Sequence, residues 1–387
     1  MRTHRLPYYF SQTARWLPLI LCCLFCRCVQ TYVSPYKSPP TGYIVVEGYI
    51  SNNSPTTYRL SRSIELPGDS AIPAVSGAQV QVEGSDSSVY PLYDRGGGMY
   101  GDTTLTLNQA LQYRLRINTA EGDRYLSDFV PLKPSPPIDS INWIYDNNTG
   151  NVTIYANTHD PRDSTHYYQW SYDQTWQYLS PEGAAVLYDT ADNTVIPRLP
   201  SQFVSRCWMD VPSTQLLIDN TTKLAQDIVY EYPLVTIPAG AQQLSSLYSI
   251  IVTQSTLTAQ GYAFLTQMQT NTQSLGSVFD ILPTELIGNI HCLSDPTKQA
   301  IGYISAGTTA QQRIYISYYQ LPFWEYIYSC YLPNRLVPNI PDSLKFWFLT
   351  GYDPIDVTPA GIVANLASCV DCTLRGGTNV KPPFWPN

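Results

Sequence analysis

The sequence has few charged residues. Asp, Glu, Lys and Arg make up 13% of its 387 positions, about half the share typical of soluble proteins. A surface this poor in charge is unsuited to a cytosolic helical enzyme or a coiled coil. The first 27 residues hold four arginines, so the remainder carries 18 basic against 30 acidic residues. Because such a chain repels a phosphate backbone, we expect no nucleic-acid partner.

Long apolar runs are also missing. The longest is Trp16 to Phe25, well short of the roughly 20 residues that span a bilayer. It follows Arg2, Arg5 and Arg15, and a basic segment before a short apolar run is typical of a secretory signal peptide. The sequence therefore predicts a signal peptide over residues 1–27.

The small residue expected at a cleavage site is absent, and cysteines stand in its place. We predict that Cys28 receives a lipid, with Cys26 and Cys23 as alternatives. The competing interpretation is an ordinary signal peptide whose cysteines are apolar filler. Residues 28–41 are polar and proline-rich, as expected of a tether leaving a membrane.

Catalytic signatures are absent as well. The sequence contains neither HExxH nor GxSxG, and only three histidines follow residue 27. His159 and His166 lie with two aspartates in one short segment, where a metal site competes with an ordinary turn, and we favour the turn. We therefore predict no enzyme activity, no catalytic residue, no metal and no cofactor.

What the sequence does contain is β-strand pattern, together with 31 Tyr and 31 Pro. Within residues 42–131, apolar and polar residues alternate and turn signals recur, as in Val80 and Val82 between Gln79, Gln81 and Glu83. The spacing predicts an immunoglobulin-like β-sandwich.

A proline-rich linker at 132–137 separates this region from a second, larger β domain at 138–387. In that domain we expect an irregular insertion at 179–247. We also expect one main helix at 258–273 and an aromatic C-terminal tail.

Five cysteines follow Cys28, and in an exported chain they are disulfide candidates: Cys207, Cys292, Cys330, Cys369 and Cys372. Cys369 and Cys372 have CxxC spacing, which also suits a redox dithiol or half of a zinc site. We favour a structural staple for the tail, with Cys330 as the expected outside partner. The odd number predicts that one thiol stays free or pairs elsewhere.

Aromatic side chains are the other rich feature. Four alternate along one stretch that includes Trp170 and Trp176, so we expect them to share one side of a strand. These rings either fill the core or bind a ligand or partner, and the core is favoured. The strongest candidates for a partner surface lie in the tail: Phe323, Trp324, Tyr326, Tyr328, Phe384 and Trp385.

Several segments together resemble one family, the Bacteroidota outer-membrane lipoproteins catalogued as domain of unknown function number four-two-four-nine. Its members are commonly encoded beside SusC-like TonB-dependent transporters. The resemblance implies a location and a genomic neighbourhood and assigns no catalytic residue. The segments that carry it are Tyr43 to Gly48, Tyr58 to Arg62, Val75 to Val80, Tyr125 to Val130 with Pro136 to Ser140, and Cys369 to Thr378.

Together these features predict a non-enzymatic outer-membrane lipoprotein, an accessory or ligand-binding subunit associated with a SusC-like TonB-dependent transporter. The alternative is a structural or assembly subunit that binds only protein partners of the envelope. We expect it at the cell surface, with the periplasmic face as the alternative.

The anchor gives a first test. Replacing Cys28 with Ala should leave a chain that no longer fractionates with membranes, because the acyl chain that would hold it there is lost. Metabolic labelling with a fatty-acid analogue measures this directly. Undiminished labelling of the C28A variant would exclude Cys28 as the acceptor.

Overall fold

The computed structural model describes residues 42–64, 72–102, 104–273, 286–328, 330 and 332–386. Strands account for 47% and helices for 12%, so the predicted mainly β fold is confirmed. None of the helices in these ranges is long and apolar enough to cross a membrane. The predicted signal peptide and tether, with Cys28, lie outside the described residues.

The strands and helices are numbered in their order along the chain. In order they are β1 (Ile44–Ser51), β2 (Thr56–Arg62), β3 (Gln79–Gly84), β4 (Val89–Gly96), β5 (Met99–Asp102), β6 (Gln112–Asn118), β7 (Arg124–Ser127), β8 (Val130–Lys133), β9 (Ile138–Tyr145), β10 (Val152–His159), β11 (Tyr167–Leu179), β12 (Val186–Asp189), β13 (Thr194–Pro197), β14 (Arg206–Pro212), β15 (Leu217–Asn220), β16 (Ile228–Ile237), β17 (Leu247–Thr256), α1 (Ala259–Gln273), β18 (Ile290–Cys292), β19 (Ala300–Ile301), β20 (Ala306–Gly307), β21 (Ala310–Ser317), β22 (Arg335–Val337), α2 (Pro341–Leu349), β23 (Tyr352–Thr358), β24 (Gly361–Leu366) and α3 (Ala367–Val370).

The first β unit is a closed barrel of eight strands. Its order is β6-β3-β4-β5-β2-β1-β20-β8, and β8 pairs back onto β6 through Tyr113 and Val130. The alternation predicted from sequence is present, since Tyr113, Leu115 and Ile117 point into the core. The immunoglobulin-like sandwich expected for residues 42–131 is wrong, because these strands form one sheet that closes on itself.

Closure of the barrel depends on chain that lies far away in the sequence. Strand β20, from residues 306–307, fits between β1 and β8, and both pairings are parallel. Strands β18 and β19 add to β7 and β1. Ile304 and Ala306 are buried in the same core as Leu60 and Val82. The chain therefore leaves the barrel at β8 and returns to it after α1.

The second β unit has two facing sheets that share one core. One sheet has the order β16-β10-β9, and the other has the order β14-β11-β17-β21 with β15 beside β11. Ile154 from the first sheet and Trp170 and Ile250 from the second belong to one buried cluster. This two-layer packing is the sandwich arrangement, and it lies in the second region instead of the first.

The stretch expected to be irregular, residues 179–247, contains five strands, β12 to β16. It supplies β14 and β15 to one sheet of the second unit and β16 to the other. It also supplies the hairpin β12–β13, which contacts a small C-terminal unit of β22, β24, β23 and α2. There the rings of Tyr188 and Phe348 lie 5.3 Å apart. The prolines that suggested irregularity lie largely at strand ends and on edge strands. At these positions the missing N–H of proline removes no hydrogen bond from the centre of a sheet.

The main helix begins one residue later than predicted, at Ala259, and ends at Gln273 as predicted. Thr258 caps it, because its Oγ1 accepts a hydrogen bond from the Gly261 N–H at 3.1 Å. One helix face, with Phe264 and Met268, lines a cavity against the barrel strand β1. The other face reaches the second unit, where the Tyr262 hydroxyl accepts a hydrogen bond from Asn220.

Two disulfides hold the C-terminal tail. Cys207 on β14 bonds Cys372, and Cys330 bonds Cys369. The staple interpretation and the Cys330 partnership are confirmed, and the two CxxC sulfurs bind different partners instead of each other. Cys292 is the remaining cysteine within the described ranges, and its buried thiol is free.

The two disulfides should contribute unequally to stability. The Cys207–Cys372 bond joins residues 165 apart and the Cys330–Cys369 bond residues 39 apart. In the chain-entropy model they contribute about 5 and about 4 kcal/mol. Cys207 and Cys372 are also fully buried in the core. Replacing both with Ala should therefore lower the thermal midpoint more than replacing Cys330 and Cys369. An equal or smaller effect in calorimetric unfolding would contradict this ranking.

Candidate functional site

The strand aromatics fill the core. Trp170 and Trp176 are 1% and 5% exposed. The Trp170 ring stacks on Tyr168 and Tyr232, with centroids 5.7 and 4.5 Å apart, and its Nε1 donates to Gln254. The prediction that these aromatic side chains share one side of a strand is correct. A surface role for these two tryptophans is wrong, because both rings are enclosed.

The tail segment from residue 323 to 328 is mixed. Trp324 is buried and its Nε1 donates to the Ala241 carbonyl at 3.0 Å. Tyr326 and Tyr328 are half-buried, with perpendicular rings 4.7 Å apart. Phe323 is 70% exposed. Of the four residues predicted as a partner surface, Phe323 alone presents an open ring, and Trp324 belongs to the core.

Phe384 and Trp385 have different environments. Trp385 is 5% exposed, and its ring meets those of Trp208 and Tyr315 edge-on at 6.4 and 6.1 Å. Phe384 is 40% exposed beneath the Arg313 guanidinium, 3.8 Å from the ring centroid. The expectation that both form a partner surface is therefore wrong for Trp385, which packs the tail onto β14 and β21.

Where the tail crosses the second β unit it forms one wall of a cleft of about 560 Å³, here called the tail cleft. The other walls come from the end of β11, the start of β14, the segment before β17 and the end of β21. The residues lining it are Gln177, Leu179, Arg206, Trp208, Ser245, Ser246, Leu247, Ser317, Tyr318, Tyr319, Lys381, Trp385 and Pro386.

A local capping arrangement presents two tyrosines at this cleft. The Ser317 side chain accepts from the Tyr319 N–H, and Gln320 Oε1 accepts from the Ser317 N–H at 2.7 Å. This reciprocal Ser-x-x-Gln pair starts a short 3₁₀ turn at Tyr318. The turn projects Tyr319 outward, 92% exposed, with its ring 5.7 Å from that of Tyr318 and perpendicular to it.

The electrostatic character of the tail cleft is opposite to that of the whole chain. Arg206 and Lys381 line it, and no Asp or Glu is among its described lining residues. The chain as a whole has a net charge of −8. The Arg206 side chain is exposed and makes no ion pair or hydrogen bond within the described ranges. Arg206 therefore gives the cleft an exposed positive charge on a negatively charged protein.

Two polar atoms of the cleft residues lack partners. The indole Nε1 of Trp208 and the hydroxyl of Ser245 are buried with no hydrogen bond to any described residue. A buried donor left unpaired costs free energy, commonly about 1–3 kcal/mol. Both atoms are enclosed, so they do not form part of the accessible wall of the tail cleft.

A larger cavity of about 650 Å³ lies between the barrel and the second unit, at the start of α1. Its charged groups have both signs, Lys133 and Asp128, and Asp128 already accepts from His291 at 3.1 Å. His166 also lines it, with its Nδ1 3.3 Å from the Thr221 hydroxyl. The Thr221 hydroxyl donates its hydrogen bond to Asp227. It does not donate to His166, as a histidine-activated nucleophile would.

The segment from His159 to His166 is a structural turn. Burial by itself would raise the pKa of Asp160, but hydrogen bonds from the Ser164 hydroxyl and nearby backbone N–H groups lower it to about 2. His159 has a raised pKa because it bonds exposed Asp139 at 2.7 Å. Among the described residues, no three His, Cys, Asp or Glu side chains lie together as a group that could hold a metal ion.

Comparison with known proteins matches the chain to one family model. A family model described as "Domain of unknown function (DUF4249)" matches residues 30–313. No curated protein matches the chain. A crystal structure of chicken CNTN1 FN1-FN3 domains is similar at 11% identity and a TM-score of 0.19. The match covers 56% of this chain and 64% of the CNTN1 chain.

The contrast between Phe384 and Trp385 gives a stability test. Trp385→Ala should lower the free energy of unfolding by roughly 3–5 kcal/mol, because it empties a buried aromatic site. Phe384→Ala removes a half-exposed ring and a cation–π contact, for a loss of about 1 kcal/mol. Urea unfolding of both variants measures the difference. Equal losses would mean that Trp385 is not part of the core.

Proposed function

The chain belongs to the DUF4249 family, and we propose that it is a non-enzymatic, lipid-anchored outer-membrane protein. In this proposal it is an accessory subunit that binds a ligand beside a SusC-like TonB-dependent transporter. The anchor is Cys28, and the chain faces the cell surface. The observation that carries the ligand-binding role is the tail cleft, a concave site with exposed aromatic rings and no Asp or Glu among its described lining residues.

Export of the chain is supported independently of the cleft. Basic residues, a short apolar run and a cysteine cluster open the sequence. Four of the five cysteines after residue 28 form the two disulfides. Disulfides persist in oxidising compartments such as the periplasm and the cell surface.

The non-enzymatic part of the proposal has a geometric argument. His159 and His291 are exposed and each bonds an aspartate, and no hydroxyl or thiol of a described residue is bonded to either ring. The Thr221 hydroxyl near His166 is 2% exposed and donates to a carboxylate. A nucleophile needs access to substrate, and the enclosed Thr221 hydroxyl has none.

The second candidate function is a structural or assembly subunit that binds only protein partners. It is favoured by the apolar surface of the small C-terminal unit. Two exposed apolar side chains of this unit, Phe346 and Leu349, lie one turn apart on α2, and adjacent apolar side chains on a surface are typical of protein contacts. Five of its apolar side chains are 48–59% exposed. They are Leu336, Ile340, Phe346, Leu349 and Val357.

Purification in mild detergent tests the proposed partnership. The native chain should co-purify with a β-barrel transporter. Replacing Phe346 and Leu349 with Ser should release that partner with little change in the thermal midpoint, because both side chains are about 59% exposed. Ile144→Ser on β9, 46% exposed, is the matched control and should retain the partner.

Migration of the native protein as a monomer, with no barrel present, would refute the partnership. Recovery of other envelope proteins in place of a transporter would favour the assembly role.

A further inference from the structure

We propose that the tail cleft binds an acidic saccharide, a ligand with a carboxylate and an apolar ring face. The inference rests on the proposed function, because it names the class of ligand that the subunit binds. The observations that support it are the charge of the cleft, its exposed tyrosines and its size.

Charge selects the anionic part of the ligand. Arg206 and Lys381 line a cleft that has no acidic residue among its described walls. Arg206 makes no ion pair with the described chain, so its guanidinium is available for a bidentate contact with a carboxylate. Arg62 on β2, by contrast, is held by an ion pair with Glu121 at 3.3 Å.

The tyrosines select the ring. Tyr319 is 92% exposed and Tyr318 is 41% exposed, and their perpendicular rings form a corner at the mouth of the cleft. An exposed aromatic side chain can bury its apolar area against an apolar surface of a bound molecule. The C–H face of a pyranose is such a surface, and its hydroxyls suit the serines that line the same cleft.

Size separates a saccharide from a macromolecular partner. A volume of about 560 Å³ falls within the range of small-molecule sites, roughly 300–1,000 Å³. A protein partner needs a broad, shallow contact, of about 800 Å² on each side. The cleft is concave and bounded by four strand ends and the tail, so it holds one or two sugar rings.

Arg206 and Tyr319 are the residues on which the specificity depends. Arg206→Gln should weaken binding at least about tenfold, since a charge-assisted hydrogen bond is lost. Tyr319→Ala should weaken it about tenfold through loss of the ring contact. Arg59→Gln on β2 and Tyr230→Ala on β16 are matched exposed controls remote from the cleft, and neither should change binding.

The experiment is calorimetric titration of the full chain in mild detergent. The probes are a galacturonic acid disaccharide, the corresponding neutral galactose disaccharide and a tetraglutamate peptide. We expect binding of the acidic disaccharide, weaker by at least tenfold for the neutral one, and weakened by salt. Equal binding of both sugars, preference for the peptide, no binding at millimolar concentration, or cleft variants that match the controls would each overturn the inference.

This outcome is separable from that of the proposed function. If the chain co-purifies with a transporter but binds no acidic disaccharide, the proposed partnership holds and the proposed ligand is wrong. If the chain is monomeric but binds the disaccharide through Arg206 and Tyr319, the proposed ligand site holds and the proposed transporter partnership is wrong.

Discussion

The buried amide of Gln254 connects the parts of this structure. Gln254 is fully buried, its Nε2 donates to the Pro136 carbonyl at 2.9 Å and to the Thr158 hydroxyl, and its Oε1 accepts from Trp170 Nε1 at 2.9 Å. One side chain thus ties the proline-rich linker to both sheets of the second unit. Two residues later the Thr256 carbonyl accepts from the hydroxyl of Tyr49 in the barrel. Leaving the buried Gln254 amide without hydrogen-bond partners would cost free energy. The end of β17 is therefore stable in this position when the linker, both sheets and the barrel are in place around it.

Sequence pattern predicted the strands well and their assembly poorly. Period-two alternation is a local property, and the predicted alternation of Val80 and Val82 between polar residues lies on β3, Gln79–Gly84. Closure of the barrel is not local, since it needs residues 306–307 between β1 and β8. Two-residue strands such as β20 carry no periodicity at all. The irregular interpretation of residues 179–247 failed for a related reason: β14 and β15 are short and pair with one long strand, β11, so tertiary pairing instead of local preference makes them strands.

For the candidate site, the sequence indicated the aromatic tail but not the residues that remain open. Trp385 and Phe384 are neighbours of similar character, and only the pairing of the tail with β14 decides that Trp385 is enclosed. That pairing is a two-way backbone contact between Trp208 and Thr378, 170 residues apart in the chain. Arg206 and Tyr319 were missed altogether. A signal for Tyr319 was present in the Ser317-Tyr-Tyr-Gln320 sequence, whose capping pair exposes the residues between its ends. Arg206 has no local signal, because its importance comes from the absence of acidic neighbours in space.

The tail cleft and the stability of the tail depend on the same contacts. Cys207 lies between Arg206 and Trp208 on β14, so its disulfide to Cys372 holds the strand that carries both cleft residues. The Tyr178 hydroxyl donates to the Cys372 carbonyl at 2.7 Å, and Trp208 and Thr378 pair immediately beyond. A site built on a covalently held strand keeps its geometry without a ligand, which lowers the entropy lost on binding. The mobile elements of such a site are then the exposed side chains, Arg206 and Tyr319, and these are the groups that a ligand would order.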